Sequence, residues 1–207
     1  HRDGRTNPKK HMSWKLHFVS KAKFPKGETI DEQLLKLGIK PQDLDYVFLS
    51  HMDVDHVSGV SLVKDAKQIL ISKEELDAVN KGEIRYYNRL FKDVNIDTFE
   101  MESSKYGPFK RSYDVFGDES VLMVDVAGHS KGTVATLIQN NGKFVLLIAD
   151  CGYAKDSWES MRLPGPISDK NKMIKTLQWV RNMAHNENCI KVIANHDPEI
   201  KSQTIEL

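Results

Sequence analysis

The stretch YVFLSHMDVDHVSGV, residues 46–60, sets two histidines and two aspartates within six positions directly behind an apolar run. Residues 46–50 read as a buried strand, and the chain leaves the sheet at Ser50. Side chains of an extended segment alternate, so His51 and Asp53 project to one side and can share one cation. Asp55 and His56 follow where the chain turns toward a helix rich in small residues, HVSGVSLV, and as neighbours they can aim at a second position. One loop can therefore serve two ions.

Working outward, apolar runs recur at QILIS (68–72), VNIDTF (94–99), VLMVDV (121–126), TVATLIQ (133–139), FVLLIAD (144–150) and IKVIAN (190–195), all strand candidates. NNGK, between the fourth and fifth of these, is a hairpin signal, so the strands over 121–150 should be antiparallel. Helices are expected over 30–37, 73–80 and 169–186. In the last, Met173, Ile174, Leu177, Val180 and Met183 recur at helical spacing behind Ser168 as N-cap. The chain is mixed α/β, and a simple doubly wound parallel sheet is disfavoured. Three more donor residues stand at strand ends, where a side chain leaves the core for an open edge: His129 after VLMVDVAG, Asp150 closing FVLLIA, and His196 after IKVIAN. His1, His11, His17 and His185 lack such a context and read as solvated.

Bulk properties narrow the function classes. At 207 residues and 40% hydrophobic, the chain can bury a real core, and length favours a single domain over 1–207. Thirty Lys and Arg against 29 Asp and Glu leave a formal charge of +1, so no bulk field draws the protein to nucleic acid or to an anionic membrane. FVLLIA is far below the ~20 residues needed to span a bilayer, and the polar, basic N-terminus has no signal-peptide core. Two cysteines, Cys151 and Cys189, fit a reducing compartment, and the expected localisation is cytoplasmic. Cys151 adjoins Asp150, yet reads as a small buried thiol rather than a ligand or nucleophile.

SHMDVDH, AGHSKGT, IADCGY and NHDPE, in that order over residues 45–198, resemble the metallo-beta-lactamase superfamily of metal hydrolases, most closely its N-acyl-homoserine lactonase branch. The resemblance implies an αβ/βα four-layer sandwich with a two-metal site. His51, Asp53 and His129 stand where that family holds its first metal; Asp55, His56 and His196 stand at the second, with Asp150 bridging. Tyr153, three residues after Asp150, is similar to the lactonase tyrosine that hydrogen-bonds the substrate carbonyl. The implied reaction is hydrolysis of a lactone or related acyl ester by a metal-bridging hydroxide, with Asp55, Asp150 and Tyr153 as catalytic residues. Trp158, Met161, Leu163 and the LPGP loop, or YYNRLF at 86–91, are candidate walls for an acyl pocket.

Two departures from the family pattern matter. The second histidine of the usual His-x-His-x-Asp-His loop is Asp53 here. With two divalent ions, three aspartates and a bridging hydroxide, the cluster is formally neutral rather than +1. A carboxylate in place of an imidazole also favours harder ions, iron or manganese, over zinc. The family's opening β-hairpin and its strand ending in Asp-Thr-Gly have no counterpart, so the domain is expected to lack its N-terminal hairpin. Either that segment is lost by cleavage, or the exposed edge its absence implies is covered by a partner chain, as in a homodimer. The alternatives to a hydrolase are a non-catalytic, degenerate metal-binding homologue and a di-iron redox protein.

Overall fold

The computed structural model describes residues 3–7, 9, 11, 25–83 and 85–207; His1 and His17 lie outside the described residues. The chain forms two compact units. One runs to Ile71 and includes Leu76–Thr98; the other comprises Ser72–Glu75 and Phe99–Leu207.

In the first unit, helix α1 (Ile30–Lys36) starts at Thr29, whose backbone N–H donates to Glu32 Oε2 at 3.2 Å in a capping-box arrangement. Arg5 and then Thr29 hydrogen-bond the same carboxylate and hold Glu32 well below the usual carboxylate range. Strand β1 (Tyr46–Phe48) leads through α2 (Val54–Val57) to β2 (Gln68–Ser72), with which it pairs in parallel. The small-residue helix expected over this region breaks in two. α2 stops before Ser58 and Gly59, both poor helix formers, and a separate 3₁₀ turn follows at Val60–Val63. Helix α3 (Lys73–Asn80) and β3 (Asp97–Phe99) complete a sheet of order β1-β2-β3. Leu49, Met52, Val57, Ile69, Ile71, Val79, Leu90 and Phe91 form its core.

The second unit is built on a six-stranded sheet whose order follows the chain: β4 (Glu102–Ser103), β5 (Arg111–Asp114), β6 (Val121–Asp125), β7 (Val134–Asn140), β8 (Lys143–Leu147) and β9 (Cys189–Ile193). Neighbours from β4 to β8 are antiparallel, and β9 joins β8 in parallel. The β7–β8 hairpin turns at Asn141 and Gly142, with φ of 49° and 78°; two positive angles in a two-residue loop match the right-handed twist of the strands. β4 and β5 escape the sequence reading because they are short and polar, with no apolar alternation to mark them.

Helix α4 (Lys155–Glu159) precedes α5 (Lys170–Ala184), which buries Met173, Thr176, Leu177 and Val180. Burying side chains such as Met173 and Leu177 stabilises the unit by about 1.5–3 kcal/mol each. The N-cap of α5 is Asp169, one residue later than Ser168: the Asp169 carboxylate accepts from the Lys172 backbone N–H at 3.0 Å. Ser168 instead donates through its hydroxyl to the Gly128 carbonyl. None of the helices among the described residues is long and apolar enough to cross a membrane.

Candidate metal centre

The first unit carries four donor side chains on one turn of chain. His51 is fully buried at the end of the apolar run, with its ring centroid 4.0 Å from that of His56. Ser50 Oγ lies 3.1 Å from His51 Nδ1 and 3.5 Å from His56 Nδ1, so one hydroxyl orients both rings and leaves their Nε2 atoms as metal-facing donors. Asp53 is the residue before α2, and Asp55 and His56 sit on its single turn. Asp55 Oδ2 is 3.7 Å from His56 Nε2, as is Asp53 Oδ2 from His51 Nε2. His51 thus lies beside Asp53, and Asp55 beside His56.

Asp53 has a second partner that the sequence did not reveal. Arg85 donates from Nε to Asp53 Oδ1 at 2.7 Å and from Nη2 to Oδ2 at 2.5 Å. Nothing local in the chain announces a pairing across 32 positions. Beside this loop lies a cavity of about 410 Å³, with Val47, Phe48, Ile30, Val60 and Val63 in its wall and Asp55 and His56 at its rim.

In the second unit, His129, Asp150 and His196 come from three strand ends and converge. Asp150 sits in a 3₁₀ turn, Ala149–Cys151, directly after β8. Its Oδ2 is 3.5 Å from His129 Nε2 and its Oδ1 is 3.2 Å from His196 Nε2. One buried carboxylate thus presents one oxygen to each imidazole, the disposition of a bridging ligand. The Tyr153 ring packs edge-on to His196, with centroids 4.9 Å apart, and its hydroxyl donates to the Gly165 carbonyl.

The loop bearing His129 is held from both sides. Gly128, at φ 143°, lies so close to α5 that a Cβ there would stand 2.7 Å from the Met173 backbone nitrogen. Thr176 Oγ1 donates to the Ala127 carbonyl at 3.2 Å. On the other side Glu75, fully buried, accepts from Ser130 Oγ at 2.6 Å and from the Gly132 N–H at 2.9 Å. The sequence reading missed Glu75 and Ser130, although Ser130 adjoins a donor histidine.

Other expectations sort plainly. Cys151 is buried, its thiol lies 3.7 Å from the Val126 carbonyl, and burial, then Asp150 and Asp125, push it well above the ordinary thiol range; it is a protonated core residue. His185 is exposed beside Glu159 at 3.0 Å, as expected of a solvated residue, whereas His11 is partly covered. Trp158 belongs to the core of the second unit, with Met161 and Leu163 packed on it. Leu90 and Phe91 are core in the first unit, with Tyr86 and Tyr87 against them. These side chains serve packing rather than pocket walls.

Residues 18–185 match the family described as the metallo-beta-lactamase superfamily, and the chain belongs to it. It is similar to the N-acyl homoserine lactonase AttM of Rhizobium radiobacter, 27% identical over 169 residues, covering 81% of this chain and 64% of that protein. It is also similar to the probable metallo-hydrolase Rv2300c of Mycobacterium tuberculosis, 22% identical over 193 residues, covering 88% and 61%. Among solved structures, a variant of Bacillus thuringiensis AiiA with N-decanoyl-L-homoserine bound at its active site gives a TM-score of 0.68 at 23% identity, over 86% of this chain and 65% of that one. The dizinc quorum-quenching lactonase AidC gives 0.61 at 16% identity, over 82% and 63%. The fold class is therefore the αβ/βα class of this superfamily, and the chain spans just under two thirds of the length of these relatives.

Proposed function

We propose that this chain is a metal-dependent hydrolase that opens lactone rings of the N-acyl-homoserine type or cleaves related acyl esters. On this reading His51, Asp55 and His56 of the first unit and His129, Asp150 and His196 of the second would serve as ligands for divalent ions. The observation that carries this reading is the Asp150 carboxylate, buried and flanked by His129 and His196 with one oxygen toward each. The donor set fits the group: imidazole and carboxylate are the ligands of zinc, iron and manganese hydrolytic sites. When bound, such ions lower the pKa of water and polarise a carbonyl.

The chain's own residues then have distinct tasks. Asp150, fixed at the end of β8, takes up and returns the proton that moves between water and the leaving oxygen. Asp55, at the rim of its cavity, orients the attacking water. Tyr153 donates to a carbonyl oxygen, that of Gly165, and beside His196 a substrate oxyanion would take this O–H in exchange for that carbonyl. The apolar wall of the 410 Å³ cavity suits an acyl chain lying next to Asp55 and His56.

The test is turnover of metal-loaded protein on N-acyl-homoserine lactones of graded acyl length, with thioesters and phosphodiesters alongside. Ring opening that disappears in His56→Ala supports the reading. Full lactone turnover in that variant, or oxygen or nitric oxide consumption in place of any hydrolysis, overturns it.

A further inference from the structure

Asp53 enters the family pattern as a metal ligand, but its surroundings point elsewhere. Both of its carboxylate oxygens face one guanidinium, through the Arg85 Nε and Nη2 contacts at 2.7 and 2.5 Å, in the two-pronged geometry that matches a carboxylate most closely. Each partner's side chain is only 14% exposed, so the pair is largely withdrawn from water, and either charge alone would be costly there. The Arg85 guanidinium carbon also lies over the Tyr86 ring, 5.8 Å from its centre. A cation drawn to Asp53, whose Oδ2 also lies 3.7 Å from His51 Nε2, would have to approach a carboxylate with one lone pair of each oxygen already facing a full positive charge.

We propose that Asp53 is the counter-ion of Arg85 rather than a metal ligand, and that the Arg85–Asp53 pair acts as a neutral unit at the position where the sequence alone suggested a ligating carboxylate. Arg85 is then a positioning residue: it holds the 51–56 loop through Asp53 and cancels its charge. This rests on the two-metal reading above and deepens it. The argument for iron or manganese counted Asp53 as a full negative charge. With Arg85 included, two divalent ions, Asp55, Asp150 and a hydroxide leave +1, and the reason to prefer the harder ions lapses. Zinc then fits the remaining histidine-rich set.

The pair can be tested apart from catalysis. In metal-free protein, a double-mutant cycle of Asp53→Asn and Arg85→Gln should show strong coupling. Each single change should lower the thermal midpoint by roughly 5 °C, the double by less than the sum. Strictly additive shifts overturn the pairing. In protein loaded with excess zinc and desalted, the Asp53→Asn/Arg85→Gln double variant should keep the wild-type number of ions per chain. A double variant that holds one ion where the wild type holds two overturns the proposal and leaves the two-metal reading intact. A wild type that binds no metal defeats that reading, while the cycle still decides the pair. The zinc-over-manganese preference of Arg85→Gln should fall by roughly tenfold, because Asp53 then lacks its arginine counter-charge; an unchanged preference counts against the charge cancellation.

Discussion

The 51–56 loop and the surroundings of Asp150 bring the same donor types to bear on opposite terms. In the first, four donor-type side chains fall within six positions, Asp55 and His56 on α2 and His51 and Asp53 just before it, and their placement depends on a hydroxyl, Ser50, and a distant arginine, Arg85. In the second, three donors from separate strands meet because a six-stranded sheet ends at one edge. Buried hydrogen bonds from Glu75, Ser130 and Thr176 hold the loop between them. Asp55 is 58% exposed, whereas Asp150 is 4% exposed. Local clustering economises on long-range order and leaves one side chain, Asp55, largely in solvent, while His51 nearby is fully buried. Convergence from the sheet gives rigid donors whose cost is a loop that tolerates almost no change.

That contrast can be broken by experiment. The largest effect is expected from Asp150→Ala, which removes the carboxylate placed between His129 and His196: bound metal should fall toward zero and any lactone hydrolysis by about 10³-fold or more, several kcal/mol of barrier. Asp55→Ala should cost one ion, not two, as read by elemental analysis; equal losses would mean that the two regions do not differ as described.

Gly132→Ala comes next. Its Cβ would stand 2.3 Å from the Glu75 backbone nitrogen and 2.4 Å from Ser72 Oγ. Overpacking of this kind costs about 1–3 kcal/mol, visible as a lowered denaturation midpoint. A protein as stable as wild type would show that the clamp yields. Ser130→Ala should cost about 1–3 kcal/mol by depriving buried Glu75 of a donor, and should weaken metal binding about 10-fold through the adjacent His129. Titration of metal affinity separates that second effect from stability.

The smallest effect is expected from Asp169→Ala at the start of α5. The Lys172 backbone N–H holds the Asp169 carboxyl below its usual range. Its folded pKa is depressed, so its contribution is complete above the ordinary aspartate value of about 3.9 and fades as pH falls through the lower folded value. The mutant and wild type should therefore differ at pH 7 and converge in acid, as followed by amide exchange in the first turn of α5. A gap that persists unchanged into acid would assign the capping to something other than the carboxylate.

Much of this molecule was legible in the chain. β2 and α3 fall where periodicity put them, and β6, β7 and β9 within a residue or two, because their apolar side chains alternate or repeat at helical spacing over enough positions to outweigh local noise; β8 ends at Leu147, three residues short of the expected end at 150. The donor residues announced themselves by standing at the ends of those runs. What escaped was short or long-range. β4 and β5 are polar and two to four residues long. The N-cap of α5 turned on which of two adjacent cap formers, Ser168 or Asp169, the chain geometry would seat.

The sequence by itself determined the element types, the hairpin at Asn141–Gly142 and the inventory of histidines and aspartates, since these follow from local periodicity, turn chemistry and residue identity. Only the tertiary structure decided that Arg85 meets Asp53, that Glu75 clamps the loop of His129, and that Asp150 turns one oxygen to each of two histidines. Those are pairings between positions 32, 55 and dozens of residues apart, and the energy that selects them comes from burying charge and hydrogen-bonding groups together, which no local pattern encodes.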